Sequence, residues 1–161
     1  MRSLVQAFIH CRLDYCNTLL AGIADTQVKR LQSVHKVSAR LVSGARRLDH
    51  ITPVLRSLHW LPVRQRIFFK TAVLVWKCIH DVAPAYLQEV CLPVESVPGR
   101  PRLRSVSTGC VELPRVLTST GQRSFSLHGP TVWNSLPSAL RDDSLSLNTF
   151  SRRLKTYLFG Q

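Results

Sequence analysis

The sequence predicts a mainly α-helical protein, with a bundle of about three main helices, a Pro/Arg-rich linker and a small C-terminal helical part. Apolar residues recur at three- and four-residue steps over most of residues 4–80, which is the period of an α-helix. Strand-like alternation is weak, occurs only near residues 110–117, and is interrupted by Pro114. We therefore predict three parts of the chain: a basic helical module at 1–92, a flexible linker or arm at 93–110, and a C-terminal segment at 111–161.

The first helix is predicted from a single apolar face near the N-terminus. Gly22 is a typical C-terminal stop for such a helix. The residues of this face are Leu4, Val5, Phe8, Ile9, Leu13, Cys16, Leu19 and Leu20.

The second helix is predicted to start at Asp25 or Thr26, either of which can act as an N-cap, and to end at Gly44. We expect its core face to hold Val28, Leu31, Val34, Val37 (or Ser38), Leu41 and Val42. The opposite face then carries four cations, Lys29, Arg30, Lys36 and Arg40, and Arg46 and Arg47 continue this charge past the helix end.

A short helix around residues 52–55 and a third main helix are predicted next. Pro62 can open the third helix, because proline is favoured at a helix start, and the pattern runs to about His80. We expect a buried face of Val63, Ile67, Thr71, Leu74, Val75 and Cys78. Arg64, Arg66, Lys70 and Lys77 are then expected to point towards solvent.

The C-terminal part begins after a stretch rich in Pro, Ser, Gly and Arg, which is typical of a linker. Residues 130–137 predict one or two helical turns between prolines, anchored by Trp133. A final helix is predicted over 146–159, with Phe150, Leu154, Tyr157 and Leu158 on one face. We expect all three tryptophans, Trp60, Trp76 and Trp133, to be core residues, and His59 to be partly buried.

The charge of the chain is its most informative feature for function. The 22 Lys+Arg against 9 Asp+Glu give a net charge of +13, and most of the basic residues are Arg, which clamps phosphate bidentately. The cations of the second helix have no acidic residue among them, so ion pairing along a solvated face does not explain them. We therefore predict a nucleic-acid-binding surface of Lys29, Arg30, Lys36, Arg40, Arg46, Arg47, Arg64, Arg66 and Lys70.

Other classes of protein find little support in the sequence. The apolar runs are too short for a membrane span, and Arg12 and Asp14 interrupt any signal-peptide core. The five scattered cysteines fit a reducing compartment better than a disulfide framework, and their spacing does not fit a zinc site. Motifs for a catalytic nucleophile, a phosphate-binding loop or a metalloprotease are not found.

Several phrases of the sequence resemble a known family. The most specific are LHWLPV (58–63) and WNSLP (133–137), and others are RLDYCNTLLAG (12–22), KRLQSVHKVSARLVSG (29–44), APAYL (83–87) and FSRRLKTYLF (150–159). In this order they resemble the C-terminal end of the reverse transcriptase polyprotein of LINE-type (non-LTR) retrotransposons, of the jockey and chicken-repeat kind. The resemblance extends over essentially the whole chain.

The resemblance implies that the parent protein is an RNA-directed DNA polymerase, in which the matched region is the thumb and the segment beyond it. That region is expected to hold template RNA or primer duplex, and to contact the upstream palm domain. The YxDD aspartates of the polymerase do not occur in this sequence, so no catalytic residue is carried over and we expect no enzyme activity.

The remaining expectations follow from this interpretation. The partner is RNA or RNA–DNA duplex, with no metal, cofactor, membrane or small-molecule substrate, and the location is intracellular, in the nucleus or cytoplasm. The chain resembles a short reading frame from a truncated element copy. The alternative is an inert remnant, or a helical protein-interaction module without a biochemical activity of its own.

Overall fold

Helices form most of the chain, as the periodicity of its apolar residues predicts. The computed structural model describes residues 2–96 and 109–161. The helices, in chain order, are α1 (Arg2–Val5), α2 (Cys11–Asp14), α3 (Asp25–Ser43), α4 (Ile51–Ser57), α5 (Val63–Ile79), α6 (Ala85–Gln88), α7 (Ser119–Gln122), α8 (Phe125–Asn134) and α9 (Leu147–Phe159). In the described ranges the extended chain pairs only at one isolated bridge, Pro93–Val111. The mainly α prediction is confirmed.

The N-terminal helix is shorter than predicted. A π-helical turn, Gln6–His10, joins α1 to α2, but the helix ends at Asp14 because Cys16 adopts a left-handed conformation (φ 48°). A 3-10 turn, Asn17–Leu20, follows, and Gly22 (φ 67°) turns the chain towards α3. The polar Asn17 in this turn is buried, whereas four residues of the predicted core face, Leu4, Phe8, Cys16 and Leu19, are exposed.

Helix α3 has nearly the predicted bounds and ends at Gly44 (φ 73°), but its predicted core face is partly wrong. Val34, Val37 and Leu41 are half exposed or more. Val28 is buried, as predicted, and so is Ser38, the predicted alternative to Val37, whereas the buried His35 and Ala39 were not predicted. The physical reason is that the small Ser38 and Ala39 allow close packing, while Arg66 supplies a hydrogen-bonding partner for the buried His35.

Helix α5 is the centre of the fold, and its predicted extent is confirmed. Its first half packs Val63 and Ile67 against Ala21 and Val28 in a small cluster. Its second half contributes to a larger cluster together with α8 and α9; the buried α5 residues there are Ala72, Val75, Trp76 and Cys78. The helix therefore buries residues on two sides.

The larger cluster combines residues from 61–91 with residues from 111–158. Phe150 of α9 lies between two indole rings, with ring centroids 6.2 Å from Trp76 and 5.6 Å from Trp133. All three tryptophans are buried, as predicted, whereas His59 is exposed, contrary to the prediction, and has a positive φ of 56°. Most of the predicted arm, residues 97–108, lies outside the described residues.

The C-terminal helices follow the predicted order. Helix α9 has the predicted extent, and the Ser146 hydroxyl accepts a hydrogen bond from Thr149 N at its start. Helix α8 is longer than the predicted one or two turns, because it continues through Pro130. Gly129 lets α8 lie close to α5, since a Cβ there would be 3.1 Å from a methyl group of Val75.

Candidate nucleic-acid interface

The four predicted cations of α3 do not share one side of the helix. Successive residues on an α-helix are about 100° apart, so Lys29, Lys36 and Arg40 lie together while Arg30 is displaced towards Val34 and Val37. Lys29, Arg30 and Lys36 are exposed, and Arg40 is half-buried. Three of the four predicted cations therefore lie along one side of α3, and Arg30 lies outside this stripe.

Two of these cations meet a third from α5 around one groove. The groove lies between α3, α4 and the start of α5, has a volume of about 400 Å³, and is lined by Lys29, Lys36 and Arg64, here called the groove cations. Asp25 also lines it and forms an ion pair with Arg64. Both members of this pair are well exposed, so the pair is worth at most about 1 kcal/mol and a phosphate can compete for the guanidinium.

A polar side chain of α3 orders the adjoining start of α5. The Oε1 atom of Gln32 accepts a hydrogen bond of 2.8 Å from the backbone N–H of Val63. The first amides of a helix have no partner within the helix, so this contact acts as an N-cap supplied from another element. It fixes α5 against α3, and thereby fixes Arg64 relative to Lys29 and Lys36.

The loop after α3 is folded back on the helix through Arg40. Its Nε donates to the carbonyl oxygen of Arg46 at 3.2 Å, and its Nη2 donates to that of Asp49 at 3.4 Å. The carboxylate of Asp49 in turn accepts a 2.7 Å hydrogen bond from the backbone N–H of Arg46. Arg40 thus holds the loop that presents the exposed Arg46 and Arg47.

The prediction that Arg66 points towards solvent is wrong. Its side chain is 14% exposed and makes a bidentate pair with Asp14, with Nε–Oδ1 at 2.9 Å and Nη2–Oδ2 at 2.6 Å. Its Nη1 is 3.2 Å from Nε2 of His35. These two partners come from different elements, and Asp14 is 52 residues away in sequence, so Arg66 is a structural connection between the N-terminal segment, α3 and α5.

Lys70 is exposed, as predicted, but it lies away from the groove cations. It lines a different pocket, next to the N-terminal segment and α9. The nine predicted residues therefore fall into three sets. The first is the groove cations, and the second is Arg40 of α3 with the loop residues Arg46 and Arg47 that it holds. The third consists of Arg30, Arg66 and Lys70, which lie apart from both.

Two buried histidines next to Arg66 were not predicted as a cluster. The ring centroids of His10 and His35 are 5.3 Å apart. The pKa of each is lowered from 6.5 to about 4, first because burial disfavours the charged ring and second because Arg66 is positively charged, while Asp14 has a smaller opposing effect. A guanidinium can only donate, so Nε2 of His35 is the acceptor for Arg66, and the amide nitrogen of Gln32 lies 3.5 Å from Nδ1 of the same ring.

The described residues give no geometry for metal chemistry. Across residues 2–96 and 109–161, His, Cys, Asp and Glu do not come together in any group of three or more that could hold a metal ion. Cys11, Cys16, Cys78 and Cys91 carry free thiols. Over the same ranges, no helix has both the length and the apolar character needed to cross a membrane.

Comparison of the chain with protein-family models, with curated proteins and with solved structures finds no significant match. Any functional conclusion therefore depends on the residues themselves and on the resemblance described above.

Proposed function

We propose that this chain binds RNA or RNA–DNA duplex by phosphate contacts at the groove cations, assisted by the loop that carries Arg46 and Arg47. The observation that carries the proposal is that Lys29, Lys36 and Arg64, from two helices, line one groove in a chain with a net charge of +13. Phosphate contacts of this kind supply affinity without reading sequence.

The resemblance to LINE-type reverse transcriptases supports the choice of RNA or RNA–DNA duplex over other polyanions. On this proposal the chain is a non-catalytic C-terminal piece of such a polymerase, acting in the nucleus or cytoplasm, and its parent protein would place an upstream palm domain next to it. The groove cations would then hold the duplex backbone as it leaves the polymerase site.

The test is fluorescence anisotropy of a labelled RNA hairpin over a series of salt concentrations. Each phosphate neutralised by a cation contributes about 0.7–0.9 to the slope of log affinity against log salt. Changing all three groove cations to Gln should therefore make the slope less steep by about 2–3 and weaken binding. Circular dichroism of each variant checks that its helix content is unchanged.

The matched control removes the same charge elsewhere. Arg12, Arg152 and Arg153 are exposed and do not line the groove, so changing all three to Gln should leave most of the affinity in place. Equal losses in the two triple variants would show that binding follows net charge alone, and would contradict the assignment of the groove.

A second candidate is a protein-interaction module without nucleic-acid binding, and the exposed apolar residues favour it. Leu4 and Phe8 of the N-terminal segment, and Val34, Val37 and Leu41 of α3, remain in solvent. A large number of exposed apolar residues is typical of interaction sites or of proteins that aggregate. Self-association that increases with concentration, measured by light scattering, together with the absence of hairpin binding at low salt, would favour this candidate over the first.

A further inference from the structure

A second pocket lies next to the buried histidines, away from the groove. It has a volume of about 260 Å³, and the residues that matter here are His10, Asn17, Trp60, Phe69, Lys70 and Lys155. We call it the His10 pocket. His10, Asn17 and Trp60 are buried and form its floor, whereas Lys70 is exposed at its mouth.

Two polar atoms in the floor have no partner. The Nε2 atom of His10 and the Oδ1 atom of Asn17 are buried without a hydrogen bond, in residues that are only 4% and 2% exposed. Burying a polar atom without a hydrogen-bond partner is unfavourable. Such atoms are therefore rare in folded proteins unless a ligand or a water molecule forms the missing hydrogen bond. Both atoms belong to residues that line the same pocket.

The floor is held in place by the surrounding structure. The ring of His10 makes an edge contact with Trp60, at a centroid distance of 4.0 Å and an interplanar angle of 69°. Cys16, directly before Asn17, and His59, directly before Trp60, both have positive φ, at 48° and 56°. Left-handed conformations of residues other than glycine are strained and tend to occur at functional sites.

The charges of the pocket are divided between its mouth and its floor. Lys70 and Lys155 bring two positive charges to the pocket, and Arg66 and Asp14, which both line it as well, are paired with each other. His10 is neutral near pH 7, because its pKa is lowered to about 4. The floor thus offers neutral hydrogen-bonding atoms beside aromatic rings, while the mouth attracts an anion.

We propose that the His10 pocket binds a single nucleotide, with its base against His10, Asn17 and the aromatic rings and its phosphate at Lys70 and Lys155. Unpaired bases are commonly recognised by stacking on aromatic side chains and by hydrogen bonds to their edges. The volume of about 260 Å³ excludes a duplex and lies just below the range of about 300–1,000 Å³ for small-molecule pockets. The choice of a nucleotide over another small anion rests on the proposed function.

The nucleotide can come from two sources, an unpaired position in RNA or a free mononucleotide. The test therefore uses an RNA hairpin with one bulged nucleotide, the same hairpin fully paired, and adenosine and uridine 5′-monophosphates. The RNA is followed by anisotropy and the mononucleotides by calorimetry. Stacking and edge contacts with one base should make the native chain bind the bulged hairpin about tenfold more tightly than the paired one.

Two variants separate the pocket from the groove. Asn17→Leu removes a polar atom that has no partner, so we expect the variant to fold at least as well as the native chain and to lose the preference for the bulge. Changing the groove cations to Gln should weaken binding of both hairpins equally and keep the preference. Lys70→Gln with Lys155→Gln should weaken binding of the bulged hairpin more than that of the paired one.

The outcomes decide between the sources and between the two proposals. A bulge preference that is lost in Asn17→Leu supports an RNA nucleotide, and mononucleotide binding without a bulge preference supports a free one. If the native chain shows neither, the pocket holds only water and the proposal is overturned. If neither hairpin binds, the proposed function fails, and the mononucleotide measurement still decides whether the pocket takes a nucleotide.

Discussion

Acid should destabilise this protein through its two buried imidazoles. The pKa of His10 and that of His35 are lowered from 6.5 to about 4, chiefly by burial and then by the charge of Arg66. Between these values the unfolded chain binds protons that the folded chain does not. Stability is therefore complete above about pH 6.5, and the free energy of unfolding falls as the pH is lowered from there towards 4.

The size of the effect follows from the two pKa values. An imidazole with a pKa of 6.5 in the unfolded chain and about 4 in the folded chain costs about 2 kcal/mol of stability on going from pH 7 to pH 5. Both rings are less than 5% exposed, so solvent screens them little. The two together give about 4 kcal/mol, a large part of the roughly 5–15 kcal/mol that stabilises a typical domain.

The assay is urea unfolding at pH 7 and at pH 5, applied to the native chain and two variants. His35→Gln keeps an acceptor for Arg66 but cannot take up a proton, so its loss on acidification should be smaller than that of the native chain by about 2 kcal/mol. His50→Gln removes an exposed histidine and should behave like the native chain. Carboxylates titrate in all three proteins, so the differences isolate the imidazole.

The reasoning would be refuted if His35→Gln and the native chain lost the same free energy between pH 7 and pH 5. In that case His35 would accept its proton within the folded protein, and neither its burial nor the charge of Arg66 would keep the ring neutral.

Three further substitutions test the packing described above. Phe150→Ala removes a fully buried ring and should cost about 3–5 kcal/mol in urea unfolding; a loss below about 1 kcal/mol would contradict its central position. Asn134→Ala leaves the backbone N–H and C=O of buried Val111 without partners and should cost about 1–3 kcal/mol, with faster hydrogen exchange at Val111, whereas unchanged protection would argue against these bonds. Gln32→Ala removes the cap on α5 and should cost about 0.5–2 kcal/mol, while the exposed Gln27→Ala should cost less.

The sequence is sufficient to predict those helices whose apolar residues form a single stripe. Helix α9 has a capping serine before it and buries Phe150, Leu154 and Leu158 on one face, so periodicity alone locates it. Helix α3 carries two apolar stripes, and the buried one includes the polar His35 and Ser38. Local pattern favours the more apolar stripe, whereas tertiary packing selects the one with small residues and a partner for the histidine.

Part of the candidate site can likewise be predicted from local sequence, and part of it depends on tertiary contacts. The spacing of the cations of α3 places Lys29, Lys36 and Arg40 on one side of the helix, and it also separates Arg30, which the prediction had grouped with them. Whether a cation faces solvent depends on partners elsewhere in the chain, and Asp14 reaches Arg66 only after the N-terminal segment has folded back on α5. The His10 pocket has no local signal at all, since its residues come from the N-terminal segment, the turn at residue 59, α5 and α9.

The two-sided burial of α5 has a consequence for synthesis on the ribosome. Residues 2–96 emerge first and can cover the side of α5 that contains Val63 and Ile67. The side that contains Val75 and Trp76 stays uncovered until α8 and α9 have also been made. A nascent chain interrupted between these two stages exposes the apolar side chains of this side of α5, and exposed surface of this kind makes folding intermediates prone to aggregate.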